Sequence, residues 1–482
     1  MRETLEVCVD RSLDGKQSVD KQDEQTSGNH EAESRVLQHI IVETGMGKGV
    51  EEYGNMGDVS MLQIAVDRLH NLLPDASIEV LTDSAENLKR FCPAALALEN
   101  RGRALWFSNV VLPRRVGELV PEWSVGIFGW LKKAIRWRYP GLLKTILVRR
   151  YQGQDRSTDA KSVEAFAAAL ERADLVLICG AGGFYNGCQT WSMEILDLIE
   201  TAIRRKMPVA MLGQGFGPLS DPLILKRAAS ILPHVEFITL RGGRESRPIL
   251  RSLGVPESKI RTTGDEAVEL AYAARTAEPG IGLGVGLRFG ASATVDDDEV
   301  KSLRSVLQGF ARAHSVSLIA LPIAIQNYTR DDLAIKRVLS GFDDESDGGK
   351  TLGSPLKVIK QAARCRVVVT GAYHAAVFAL AQGIPVVSLA KSAYFAGKLI
   401  GLEDQFGEGC QTIQLTETGW PERLNRAIEN AWRRADDLRE PLQAAALRQI
   451  ELTRDSYGQV KRLLEETHEQ KEGIPARRFL RT

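Results

Sequence analysis

Short apolar runs that end in glycine and lead into helical stripes recur along this chain, and no other feature restricts its fold as much. The first run, Val36–Val42 (VLQHIIV), passes through Gly45, Gly47 and Gly49 to Gly54–Asp58 (GNMGD). A stretch from Met61 to Leu73 follows, with Leu62, Ala65, Leu69 and Leu72 on one helical face. That spacing predicts strand, glycine-rich loop, helix. Ser77–Leu81 reads as a strand, Val163, Phe166, Ala167 and Leu170 as a helical stripe, and Asp174–Cys179 (DLVLIC) as a buried strand running into GAGG. Met193, Leu196, Ile199 and Ile203 mark another helix. Strand Pro208–Leu212 then leads into GQGFGP, and helix Leu223–Leu232 into strand Glu236–Leu240 and Arg241. Strands separated by helices pair in parallel through right-handed crossovers, so the chain is α/β.

Proline and glycine at Thr276–Gly280 (TAEPG) interrupt the helix expected over Glu266–Ala274, and the alternation then restarts. Strands are expected at Ile281–Phe289, Val316–Leu321, Arg366–Thr370 and Pro385–Leu389. Helices are expected at Asp298–His314, Asp331–Ser340, Pro355–Ala363 and His374–Ala381. At 482 residues the chain exceeds the usual capacity of one core. The expected organisation is a polar, disordered tail over 1–34, a Rossmann-like domain over 35–276, a second over 277–415, and charged C-terminal helices with a tail over 416–482. Two such domains facing a cleft make a GT-B-like architecture.

Charge narrows the partners. Lysine plus arginine equals aspartate plus glutamate, 62 each, which gives no argument for nucleic-acid binding. The six cysteines (Cys8, Cys92, Cys179, Cys188, Cys365 and Cys410) form no CxxC pair, so a reduced, cytoplasmic setting is expected. The first residues lack the apolar core of a signal peptide, and no run is long enough to span a bilayer. One stretch departs from the even balance. Between Trp123 and Arg150, Trp123, Phe128, Trp130, Trp137 and Tyr139 alternate with Lys132, Lys133, Arg136, Arg138, Lys144, Arg149 and Arg150. It reads either as a peripheral contact with the inner face of a membrane or as a helical insertion with its tryptophans turned inward.

Ligands of open α/β sheets lie beyond the carboxyl ends of the strands. The residues at those ends are Gly54–Asp58, Gly180–Gly183, Gly213–Pro218, Arg241, Arg288 and Gly371–His374. The backbone amides of GNMGD suit an anion or a sugar hydroxyl, although Asp58 also reads as a plain helix cap. GAGG lacks the full spacing of a dinucleotide fingerprint. GQGFGP offers Gln214 at the same edge, or a structural turn before Pro218. His374 follows a buried strand and a glycine turn and starts an apolar helix, which aims it at the cleft as a proton donor. The other six histidines do not cluster at metal-ligand spacing, so no metal is expected.

Taken together, GNMGD, DLVLICGAGG, GQGFGP, LRGGRES, TGDEA and TGAYHAAVFALAQGIPVVSL resemble the polysaccharide pyruvyl transferase family. The resemblance covers roughly Gly54 to Gly407. It implies a GT-B-like fold, phosphoenolpyruvate as donor, a sugar or lipid-linked glycan as acceptor, a pyruvate ketal as product, and no cofactor. His374 matches the family's histidine, and Arg241 matches an arginine placed after a strand. The arginine two residues before the histidine is replaced here by Ala372, so another cation must supply its charge. The family's lysine is matched by Lys398, with Lys391 a nearer competitor. Phosphoenolpyruvate carries a carboxylate and a phosphate within a few atoms, and Arg241, Arg288 and Lys398 are assigned to oppose them. His374 is assigned as the acid that protonates the methylene carbon, while Asn55, Asp58 and Gln214 are assigned to the acceptor sugar. Two rivals stand beside this reading: a nucleotide-sugar glycosyltransferase of the same fold, and a glycan- or anion-binding relative without chemistry.

Overall fold

In the computed structural model, residues 38–44, 53–108, 134–180, 182–288, 297–326 and 329–472 are described. Residues 1–34, expected as a tail, lie outside them, as do residues 123–133 of the basic aromatic stretch. Leu37–Thr482 forms one compact unit.

The first half begins with β1 (His39–Glu43), α1 (Met56–Leu72), β2 (Ser77–Thr82), α2 (Ala85–Phe91), β3 (Leu96–Glu99) and α3 (Asn100–Phe107). It continues with α4 (Pro140–Gln152), α5 (Ser157–Arg172), β4 (Leu175–Ile178), α6 (Gln189–Arg204), β5 (Val209–Gln214) and α7 (Pro222–Ile231). It closes with β6 (Phe237–Leu240), α8 (Gly243–Ser252), β7 (Ile260–Thr262) and α9 (Ala267–Ala273). Its seven strands pair in parallel in the order β3-β2-β1-β4-β5-β6-β7. Both faces are covered because side chains alternate across a strand. Ile41, Val176 and Ile178 enter the core under α5 and α6, and Ile40, Val42, Leu175 and Leu177 enter the core shared with α1.

The second half holds β8 (Gly282–Gly286), α10 (Asp297–His314), β9 (Leu318–Ala320), a small hairpin of β10 (Ile325–Gln326) and β11 (Thr329–Arg330), α11 (Asp331–Leu339) and α12 (Pro355–Ala362). Next come β12 (Cys365–Thr370), α13 (Tyr373–Ala381), β13 (Val386–Ala390), α14 (Ala393–Phe406), β14 (Cys410–Gln414) and α15 (Trp420–Glu472). Five of these strands form a parallel sheet ordered β14-β13-β12-β8-β9. The chain is thus two Rossmann-like halves in the GT-B-like arrangement.

The expected C-terminal helices are one helix of 53 residues, and Pro441 does not break it. Its apolar positions recur every three or four residues and serve both halves in turn. Leu424 and Ile428 complete one core of the second half, Leu438, Leu442 and Ile450 its other core, and Tyr457, Val460 and Leu464 the core beside α1. That continuous burial outweighs the roughly 3 kcal/mol cost of one interior proline. Arg68 on α1 bonds Glu269 of α9 and Thr453 of α15, locking the three helices together.

The described part of the basic aromatic stretch is helical. Arg136 is buried and donates to the Trp106 and Phe107 carbonyls, and Trp137 packs 3.6 Å from the Arg204 guanidinium. No described helix is long and apolar enough to cross a membrane.

Candidate active site

Each sheet reverses its winding at one point: between β1 and β4 in the first half, and between β12 and β8 in the second. Crevices open at such points, beyond the carboxyl ends of the strands. The residues past these four strands are Gly54–Asp58, Gly180–Gly183, Gly371–His374 and Arg288. The two halves meet there. Met56 N–H donates to the Ile323 carbonyl at 2.8 Å, and Ile325 N–H donates to the Gly54 carbonyl at 3.0 Å.

His374 lies in the first turn of α13, only 5% exposed. Its Nε2 is 3.5 Å from Asp265 Oδ2. Its ring rests against Gly57 so closely that a Cβ there would come within 1.9 Å of Nδ1. Glycine at position 57 is therefore a condition for this imidazole position. Asp265 follows β7, and its other oxygen accepts from Ala267 N–H at 2.9 Å, which anchors it at the start of α9. Arg241 Nη1 stands 3.9 Å from Asp265 Oδ2, and its guanidinium lies 4.7 Å from the Tyr373 ring centroid. Burial alone would push the Asp265 carboxyl up. His374 and Arg241 outweigh it and hold Asp265 below the ordinary carboxylate range.

Lys398, on α14, joins Arg241 from the other half. A Cβ on Gly182 would fall 2.6 Å from Arg241 Nη2 and 3.1 Å from Lys398 Nζ, so the glycine turn after β4 leaves the space these two cations fill. The Lys398 ammonium bonds the Tyr394 hydroxyl one helical turn earlier. Tyr394 stacks on Tyr185 with ring centroids 4.4 Å apart. Burial, with Arg241 and Arg288 nearby, pushes the Lys398 ammonium well below the usual lysine range. Lys391, the competing match, pairs with Glu299 at 2.9 Å on α10. Arg288 reaches Asp331 (Nε to Oδ1, 3.4 Å), whose second oxygen accepts from the Ile323 and Ala324 amides at 3.0 and 2.8 Å.

Asp58 is the acidic residue of α1 that faces this group. Burial pushes its carboxyl up, against the pull of His374, Arg241, Arg288 and Lys398. The sequence left open whether Asp58 caps α1. It does not: Asn55 is the cap, accepting from Gly57 N–H at 3.0 Å. That bond, with the backbone bridge to Ala324, occupies Asn55 at the junction of the halves. Gln214 does not join the group. It is fully buried, and its amide donates to the Ile178 and Leu212 carbonyls inside the sheet, so its assignment to the acceptor sugar is corrected to a structural one.

Three contributors had no role assigned from sequence. Asp265 was visible only as part of TGDEA, one of the motifs that carry the family resemblance. Tyr394 lies four residues before Lys398, one helical turn away, but no helix was expected over these residues, so the pairing went unseen. Asp331 has no local signal, since it acts through a fold-back of the 323–331 segment. Behind Asp265, burial and the Asp265 charge raise Glu266 to about 7. Among the described residues no group of His, Cys, Asp and Glu is placed to hold a metal ion.

Two facing α/β halves thus bring three cations, an imidazole–carboxylate pair and one further carboxylate together at their junction. The family model for polysaccharide pyruvyl transferase matches residues 55–392, most of the chain, and the protein belongs to that family. No curated protein sequence gives a significant match. Solved structures of similar shape include the calicheamicin glycosyltransferase CalG4 (12% identity, 89% of this chain and 98% of that one, TM-score 0.44). The UDP-GlcNAc 2-epimerase of Neisseria meningitidis is similar as well (12% identity, 86% and 99%, TM-score 0.45). A putative UDP-N-acetylglucosamine 2-epimerase of Listeria monocytogenes is a third (10% identity, 92% and 100%, TM-score 0.49).

Proposed function

We propose that this protein transfers the pyruvyl group of phosphoenolpyruvate to a sugar of a cell-envelope or extracellular glycan, forming a pyruvate ketal. The observation that carries this reading is the convergence of Arg241, Lys398 and Arg288 beside the His374–Asp265 pair. A carboxylate and a phosphate within a few atoms require several cations in a water-poor site, where each charge acts more strongly than in bulk water. Ala372 removes one family cation, and Arg288, held by Asp331, supplies a guanidinium to the same group.

In this scheme His374, as imidazolium, gives its proton to the methylene carbon, and Asp265 holds the ring while it is charged. Positive charge develops at the central carbon. An acceptor hydroxyl bonds to that carbon and passes its proton to Asp58, whose raised affinity for protons suits it to receive one. A second hydroxyl then displaces phosphate and closes the ketal. Of the two hydroxyl protons, one replaces that lost to the methyl group and one leaves with phosphate. No metal or redox partner is required.

The test is phosphate release from phosphoenolpyruvate across a panel of glycans, read with the mass gain on the sugar. We expect release that depends on the acceptor, and a loss of about 10²–10⁴-fold in His374→Ala with its far-ultraviolet dichroism unchanged. Release of a nucleoside diphosphate from a sugar nucleotide, with phosphoenolpyruvate inert, would replace this reading by a glycosyltransferase. Unchanged turnover in His374→Ala would remove the imidazole from the chemistry.

A further inference from the structure

Helix α4 has two apolar faces, and only one is used by the fold. Leu143, Leu147 and Tyr151 are buried against the first-half core. On the flank next to that face Tyr139, Leu142 and Ile146 are 57%, 52% and 43% exposed. Spacings of three and four residues put these side chains in one continuous strip. Among the other large exposed apolar side chains of the described residues, Leu96, Leu223, Ile281, Leu333 and Leu356 lie singly, and Leu447 and Leu452 share α15.

The charge around the strip is one-sided. Residues 134–154 contain Arg136, Arg138, Lys144, Arg149 and Arg150 and no acid. With 62 acids in 482 residues, a stretch of that length would carry two or three on average. Arg136 is used internally, and Lys144 lies 3.9 Å from Glu171, but Arg138 and Arg149 are exposed beside the strip. An apolar strip on a segment that carries cations and no acid matches a polyanionic, partly apolar surface. It does not suit a second copy of the chain, because a twofold contact would set arginines against arginines. We propose that this face of α4 lies in the headgroup region of an anionic lipid bilayer, with Tyr139, Leu142 and Ile146 inserted and Arg138 and Arg149 on lipid phosphates.

The experiment is cosedimentation of the full chain with phosphatidylcholine vesicles, with and without phosphatidylglycerol, at low and high salt. The expected result is binding only to the phosphatidylglycerol vesicles, weakened by salt. A Tyr139→Ser, Leu142→Ser, Ile146→Ser variant, altered only at exposed positions, should partition about tenfold less. Arg138→Gln with Arg149→Gln should lower binding severalfold at low salt and little at high salt. Both variants should keep wild-type turnover without vesicles. Three results would each overturn the proposal: no sedimentation of wild type with anionic vesicles, equal sedimentation of the serine variant, or a wild-type dimer that the serine variant makes monomeric.

Discussion

Glu266 shows how much the site costs the fold. Its carboxyl is almost fully buried, one oxygen has no hydrogen-bond partner, and its pKa is raised from 4.5 to about 7. A raised native value means the folded state holds this proton after the unfolded chain has released it. The associated stability is full below 4.5 and is lost as pH rises through about 7. The loss is about 3 kcal/mol. Urea unfolding from pH 5 to 8 should therefore show falling stability in the wild type and a flatter profile in Glu266→Gln. Equal slopes would show that Glu266 is not the titrating group. Gly57 makes the complementary case. Gly57→Ala gains up to about 1 kcal/mol of helix propensity, yet it drives a methyl into the His374 ring. We expect stability to fall by only about 1–2 kcal/mol while turnover drops at least tenfold. Wild-type turnover would show that the imidazole is not held against Gly57 during the reaction. His374, Arg241, Arg288 and Asp58 were legible as residues beyond strand ends, whereas Lys398, inside α14, came only from the family resemblance. Gln214 was misassigned because its place at a strand end was visible and its inward direction was not.

At the scale of elements, the central strands were readable because they are continuously apolar, and their boundaries fall within a few residues of expectation. The region between β2 and α3 was not. β3 is mostly exposed, and α2 has only seven residues, so neither carries a strong period. Helix α14 was likewise unannounced, although it brings Tyr394 and Lys398 to the cleft on successive turns. Tyr394 holds the Lys398 ammonium, and burial pushes its own hydroxyl to about 12. Tyr394→Phe keeps the ring that stacks on Tyr185 and removes only the hydroxyl. We expect KM for phosphoenolpyruvate to rise severalfold with kcat little changed, because the cation loses its partner while the proton donor is untouched. A fall in kcat at constant KM would instead place Tyr394 in the proton-transfer step.

The whole molecule explains why the site lies where it does. Neither half owns it: Asp58, Arg241 and Asp265 come from the first, and Arg288, His374 and Lys398 from the second. Helix α15 runs through the cores of both and fixes their approach, a role invisible to a sequence reading that expected only charged C-terminal helices and a tail. The central claim is that these cations gather to hold a doubly anionic donor. Burial beside two guanidiniums lowers the proton affinity of Lys398, so an incoming anion should raise that affinity and, at alkaline pH, draw a proton from solution. Calorimetric titration of phosphoenolpyruvate into the wild type and Arg241→Gln, at mildly alkaline pH in buffers of different ionisation enthalpy, measures both effects. The account predicts saturable binding with proton uptake, weakened about 10- to 100-fold without Arg241. Binding of equal strength in the two proteins, or none in either, would contradict it.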